Sequence, residues 1–240
     1  MTKKSKKIFK IISGTVIFLT LPSFLFFGFL FFKYNEDLPT GVQGKEADAL
    51  AYKMLEALDY DAFKSTNYIE WSFKNRHHYK WDKENNVCQV YWKDFKVNLD
   101  LNDETNHKAF VHSFKVESDM AKGLIEKAVK YFNNDSFWLL APYKVFDEGA
   151  ERRVVKLNNG NKALLVTYTS GGLTPGDSYL WLLDSLGKPT SFKMWTSLLP
   201  IDGVEATWNN WTTTESGAQL PTFHNLLVFG IEINHVKGTL

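Results

Sequence analysis

The sequence has one cysteine, Cys88, in 240 residues. That excludes an internal disulfide framework and any metal centre built on several thiolates. It has no Gly-x-Gly-x-x-Gly turn and no phosphate-cradling Gly-Lys-Thr loop, so neither a dinucleotide site nor a P-loop is indicated. No Gly-x-Ser-x-Gly elbow surrounds Ser170, Ser178 or Ser185, which leaves a serine hydrolase without support. The acids are scattered, and no spacing among them marks a glycosidase pair. Internal repeats and low-complexity tracts are absent too. Acids are also scarce at the start: six lysines and two acids lie before residue 39, so the remainder carries 22 basic and 25 acidic residues. A body this close to neutral lacks the basic footprint of a nucleic-acid binder, and no nucleic-acid partner is expected.

What the sequence has instead is apolar and aromatic. Residues 11–32 form an uncharged run, interrupted only by Pro22. As a helix, such a run of about 22 residues spans roughly 33 Å, enough to cross a bilayer core. Five lysines precede it, so the start is expected in the cytoplasm and the body outside. A cleaved secretory signal is the alternative. Against it, the run is longer than the usual signal core, and no small-residue cleavage site follows Phe32. The expected organisation is therefore a lysine-rich start and transmembrane anchor over 1–35, a polar linker over 36–44 and one domain over 45–240. The localisation that follows is a single-pass inner-membrane protein with a periplasmic body.

Within the domain, Ala47, Leu50, Ala51, Met54, Leu55 and Leu58 recur with the period of an amphipathic helix. Ala121, Leu124, Ile125, Ala128, Val129 and Phe132 mark a second one, with Ser118 or Asp119 as N-cap and Asn133-Asn134 as its stop. Residues 71–81 alternate between an aromatic and a charged side and read as one long strand. Strands over 87–92 and 95–101 continue it as an antiparallel meander. Asn158-Asn159-Gly160 joins strands over 152–157 and 162–169. Tyr179, Trp181 and Leu183 alternate, and after Asp184, Gly187 and Pro189 the pattern resumes at Phe192 and Met194, which is a hairpin. Residues 204–213 and 226–234 read as the last two strands, with a loop over 217–221. The order of elements gives an α+β domain. Its curved antiparallel sheet covers helices and is followed back to an N-terminal transmembrane helix.

The histidines give no metal site. His77 and His78 point to opposite faces of a strand, and His107, His112, His224 and His235 have no zinc spacing. No metal and no cofactor is expected. His77 reads as a hydrogen-bonded ring among aromatics.

Two patches carry a resemblance. One is Asn134-Asp135-Ser136-Phe137-Trp138-Leu139-Leu140, after the second helix. The other is the hairpin from Tyr179 through Asp184, Gly187 and Pro189. With the order of elements, they make residues 45–235 resemble the periplasmic lipoprotein-carrier superfamily, the Lol-type unclosed β-barrels. The patches Phe-Trp-Leu-Leu-Ala-Pro and Gly-Gly-Leu-Thr-Pro-Gly-Asp are similar to those of an uncharacterised Gram-negative bacterial family. The resemblance implies about eleven antiparallel strands around helices, binding an acyl chain or another apolar ligand. The chain departs from it in its anchor, because the carriers shuttle and a tethered chain cannot.

The expected function is thus a non-catalytic, tethered periplasmic module that binds a lipid or the acyl chain of a lipoprotein. The alternatives are an envelope enzyme acting on a lipid-like substrate through His77 or His112 with a nearby acid, and a scaffold or sensor for a protein partner of unknown identity. The expected pocket lies between the concave sheet face and the helices. Its ligand-binding residues are Trp71, Phe73, Tyr79, Trp81, Tyr179, Trp181 and Leu183 on the sheet. Phe137, Trp138, Leu139 and Leu140 form a plug at its mouth, with a solid core as the competing expectation.

Overall fold

Trp71, Phe73, His77, Tyr79 and Trp81 do share a face, but not along one strand. In the computed structural model, which describes residues 3–171 and 174–240, the chain reverses at Lys74 and Asn75, whose φ angles are 51° and 52°. This gives β1 (Tyr68–Phe73) and β2 (His77–Asp82), paired antiparallel with Phe73 opposite His77 and Trp71 opposite Tyr79. A three-residue turn leaves the parity of side chains unchanged, so the period-2 pattern runs straight through it. The stacked rings of Trp71 and Tyr79, 4.5 Å apart, are cross-strand neighbours rather than positions along one strand.

The meander continues through β3 (Val87–Trp92), β4 (Phe95–Asp100), β5 (Lys108–Val111) and β6 (Phe114–Val116). The second half supplies β7 (Ala150–Lys156), β8 (Lys162–Tyr168), β9 (Ser178–Leu183) and β10 (Pro189–Trp195), then β11 (Val204–Thr207), β12 (Asn210–Thr213), β13 (Gln219–Leu226) and β14 (Phe229–Thr239). The sheet thus has fourteen strands rather than about eleven. The expected strand over 204–213 is two strands, β11 and β12, broken where the Trp208 N–H turns to the Thr190 carbonyl. The expected loop over 217–221 already contains the start of β13, and the last strand begins and ends later than the pattern indicates.

The strands form one sheet in the order β6-β5-β4-β3-β2-β1-β14-β13-β11-β10-β9-β8-β7, with β12 beside β13. Every pairing is antiparallel, and β14 joins the two halves. Among the described residues, β6 and β7 do not pair, so the curved sheet is not closed into a barrel.

Among the described residues, four α-helices accompany the sheet. α1 (Lys3–Tyr34) is long and apolar enough to cross a membrane, and its apolar side chains from Phe9 to Phe27 are largely exposed. α2 (Lys45–Ala57) buries Ala47, Ala51, Met54 and Leu55, as its period requires. α3 (Tyr60–Ser65) is a short turn capped by Asp59. α4 (Ser118–Leu140) does not stop at Asn133-Asn134 but runs on for two turns, and its N-cap is Glu117. The apolar residues 137–140 give that extension a buried surface large enough to override the two weak helix formers.

The inner face of the sheet and α2, α3 and α4 share one large core that includes Trp71, Tyr79, Trp181, Phe192 and Trp208. A second, smaller cluster of Val155, Ala163, Leu165, Leu180 and Trp195 lies on the opposite face of β7–β10. Residues 36–44, expected as a loose linker, cover part of that face. The Val42 N–H and carbonyl bond with Val154, and the Trp195 indole N–H donates to the Glu36 carbonyl at 2.8 Å. Gly41 lies so close to the sheet that a Cβ there would meet the Arg153 Cβ at 2.7 Å.

Candidate functional site: a cleft beside the end of α4

The helix extension decides where open space remains. Trp138, Leu139 and Leu140 turn into the core, and Leu139 and Leu140 are 0% and 1% exposed. Phe137 turns the other way, toward β8 and β9, and stands 4.7 Å from the Tyr179 ring. Between them lies a cleft of about 380 Å³. Phe132 and Phe137 form its helical wall, Tyr168 and Tyr179 its sheet wall, and Leu198 its lip; Lys144, Asp147 and Glu148 stand at the rim.

Asp177 lies at its floor and is only 6% exposed. A buried carboxylate has to be met by donors. Thr196 Oγ1 donates to it at 2.6 Å, the Ser197 N–H at 3.3 Å, the Tyr179 hydroxyl at 3.3 Å, and the Thr174 hydroxyl as well. The turn Thr174-Pro175-Gly176-Asp177 makes this possible: Gly176, at φ 101°, allows the Asp177 N–H to return to the Thr174 carbonyl. Burial, and then the neighbouring Asp177 charge, push the Tyr179 hydroxyl far above its ordinary range, so it remains a donor. Burial does the same to Tyr168. At the rim, partial burial raises the Asp147 carboxyl against the opposing pull of Lys144, 3.8 Å away.

The eleven residues expected to bind ligand divide into two groups. Phe137 and Tyr179 line the cleft. Trp71, Tyr79, Leu139 and Trp181 are fully enclosed, Phe73, Trp138 and Leu140 are buried, and Trp81 and Leu183 are half-buried against the same core. Residues 137–140 are therefore the last turn of a helix and not a separate plug. Trp181 lies 5.0 Å from both Phe192 and Trp208, edge to face, and Trp138 lies 5.7 Å from Phe192. The interior between sheet and helices is filled where these rings meet. The sequence reading missed Asp177, Tyr168, Thr196 and Leu198; only the Pro-Gly turn before Asp177 carried a signal, and it spoke of backbone rather than burial.

On the other side of α4, Asp135 is 2% exposed. His77 Nδ1 donates to its Oδ2 at 2.7 Å, the Tyr79 hydroxyl donates to the same oxygen at 2.5 Å, and Asn134 donates to Oδ1 at 2.8 Å. The His77 ring stacks on Tyr131 at 3.8 Å. This network fastens α4 to the β1–β2 hairpin and lies outside the cleft lining. The other candidate, His112, faces Asp94 across 3.8 Å at an exposed turn. His224 is fully enclosed. Its Nδ1 is 2.7 Å from the Thr207 carbonyl and its Nε2 is 2.8 Å from the Trp138 carbonyl near the end of α4. Burial pushes its pKa down to about 4, against the two carbonyls, each of which favours the protonated ring. Among the described residues, no group of three or more His, Cys, Asp or Glu stands together as a metal site.

No protein-family model matches the chain, and neither does any curated protein. Among solved structures, the chain is similar to the crystal structure of a DUF1329 family protein from Desulfovibrio piger. The TM-score is 0.42 at 6% identity, over 82% of this chain and 95% of that one.

Proposed function

We propose that this protein is a non-catalytic binding module, tethered to the inner membrane by α1 with its body in the periplasm. Its ligand is the apolar chain of a lipid or of a lipoprotein, held in the cleft beside α4. The observation that carries this reading is the cleft itself: two phenylalanines, two tyrosines and Leu198 give it apolar walls, and Asn133, Asn134, Lys144, Asp147 and Asp177 give it polar groups beside them. That is the composition of a site for an amphipathic ligand. The resemblance to the unclosed barrels of the lipoprotein carriers points the same way, as do the lysines ahead of the span.

Size limits what the cleft can hold. About 380 Å³ is near the small end of ligand pockets. If roughly five to eight methylenes enter, their burial contributes about 4–6 kcal/mol, so the affinity is no tighter than about 40 µM. The enzyme alternative draws on the His77–Asp135 pair, but Tyr131 covers that ring and the pair does not line the cleft.

The test is displacement of a fluorescent fatty-acid analogue from a fragment of residues 35–240, which retains the strap over the sheet. Saturable binding that Phe137→Asp weakens at least tenfold, with the circular dichroism spectrum unchanged, is the expected result. A failure to bind at millimolar analogue, or binding indifferent to Phe137, would remove the reading.

A further inference from the structure

The register of the sheet brings several distant turns to one rim. Trp195 pairs with Ser178 and Met194 with Val204, so the start of β9 and loop 196–203 stand at the same end of the sheet. Ala206 pairs with Leu226, which sends the β13–β14 turn to that end too. Phe73 pairs with Ile233, and His78 with Tyr91, adding the turns at 74–76 and 93–94. Three of these tips are apolar and exposed: Leu198 at 62%, Val228 at 74% and Phe229 at 64%. Lys74, Arg76 and Lys93 stand exposed on the neighbouring turns.

α1 leaves the body at this same rim. The Glu36 N–H donates to the Asp202 carbonyl at 3.0 Å, and Asn35 Oδ1 accepts from the Asp202 N–H at 3.0 Å. Lys193 grips the Glu36 carboxylate at 2.6 and 2.7 Å. Gly203 lies so near that a Cβ would meet the Glu36 Cβ at 2.7 Å. Leu30 and Tyr34, in the last turns of α1, pack against the main core. The span therefore ends against the body, with no free linker between them.

We propose that this rim rests on the bilayer surface, with Leu198, Val228 and Phe229 entering the lipid headgroup layer, so that the cleft opens to the membrane. The inference rests on α1 being a membrane span, as in the function proposed above. Leu198 is four residues from Asp202, and four residues reach at most roughly 14 Å from the end of the helix. Lys33 and Tyr34, at that end, are residues that mark a membrane interface. Isolated exposed leucines need no explanation, but three apolar tips on the one rim from which an apolar helix departs give lipid several points of entry at that rim. Basic side chains beside them add attraction for anionic headgroups. Because Leu198 is also the lip of the cleft, an acyl chain would pass from the bilayer into the cleft without crossing water.

The native protein suits a labelling test, because its one cysteine, Cys88, is buried and wild type serves as the unlabelled background. Leu198→Cys, Phe229→Cys, Leu186→Cys and Phe18→Cys, each in the full chain in lipid nanodiscs, are labelled with an environment-sensitive dye. Leu186 is 77% exposed in the β9–β10 turn at the opposite rim, and Phe18 is 77% exposed in mid-span. The expected result is blue-shifted emission at positions 198 and 229, largely lost when the lipid carries a shallow spin-label quencher, with no change at 186. If 198 and 229 behave like 186 while a deep quencher silences 18, the body stands off the membrane and the proposal fails although the tether holds. If 18 is not quenched either, the tether reading falls and takes this inference with it.

Discussion

Trp181→Ala separates a packed interior from an open one. Trp181 is 0% exposed, and its ring is edge-on to Phe192 and Trp208. A buried tryptophan removes roughly 200 Å² from water, about 5 kcal/mol at ~25 cal/mol/Å². One feature of the site offsets part of that. Among the described residues, the indole N–H of Trp181 meets no acceptor. An unmet buried donor costs about 1–3 kcal/mol, and truncation removes it. The expected loss is therefore about 2–4 kcal/mol, at or below the low end for a buried aromatic. With a urea m-value of about 3 kcal/mol/M, the midpoint should fall by about 1 M. Trp181→Phe, which keeps the ring and deletes the orphan donor, should cost only about 1 kcal/mol. Phe137→Ala is the counterpart at the cleft: half-buried, it should cost about 2 kcal/mol in stability yet weaken the fatty-acid analogue about tenfold. Urea unfolding and analogue displacement on the same variants decide between the two placements. If Trp181→Ala left the midpoint unchanged and abolished binding, the ring would face an open cavity and the packing argument would be wrong.

Two further outcomes follow from buried polar groups. His224 has a folded pKa pushed down to about 4, so the unfolded chain binds the extra proton first. Stability should be fully present above about pH 6.5 and fall by up to about 3 kcal/mol as pH drops through 4, while His224→Gln should lose that slope; equal slopes in urea titrations of both proteins would refute it. In the Asp135 network, Asp135→Ala strands the Tyr79 hydroxyl, while Tyr79→Phe leaves the carboxylate with His77 and Asn134. The double variant should then cost about 2 kcal/mol less than the sum of the singles, and additivity within about 0.5 kcal/mol would show that the 2.5 Å contact contributes nothing specific.

The alternation of Tyr179, Trp181 and Leu183 is enough to place a hairpin and its inner face, because the rings turn to the main core while Leu180 and Leu182 turn to the smaller outer cluster. The same alternation concealed the β1–β2 turn, since a three-residue reversal at Lys74 and Asn75 keeps parity. It also hid the extension of α4, because the asparagine pair is a local stop signal while the surface buried by Trp138, Leu139 and Leu140 is a tertiary fact. The cleft was less legible still. Its walls come from α4, β8, β9 and the loop carrying Leu198, and the pairing that brings these segments together is long-range. Asp177 reads as a turn residue; only the fold shows that Thr196, almost twenty positions later, returns to meet its carboxylate.

The strap of residues 36–44 explains how an open sheet and a long apolar N-terminal helix coexist in one chain. An unclosed sheet leaves two edges whose free backbone groups invite pairing with other chains. At one end the edge strand is β6, only three residues long and bearing Lys115, which makes a poor template. At the other end β7 has seven residues and would be exposed, but Val42 bonds with Val154 at its middle, and α2 follows on the inner side with Asp48 accepting from Arg152 at 2.7 Å. The chain thus comes off α1, is clamped at Glu36 by Lys193 and Trp195, crosses the outer face, folds round β7 and continues as the first helix of the core. A strap long enough to leave slack between α1 and the body would lose the Glu36 clamp, and a closed barrel would have no edge for Val42 to cover. Protecting the edge and fixing the body beside the end of α1 are therefore done by the same nine residues, which binds the orientation of the cleft to the integrity of the sheet.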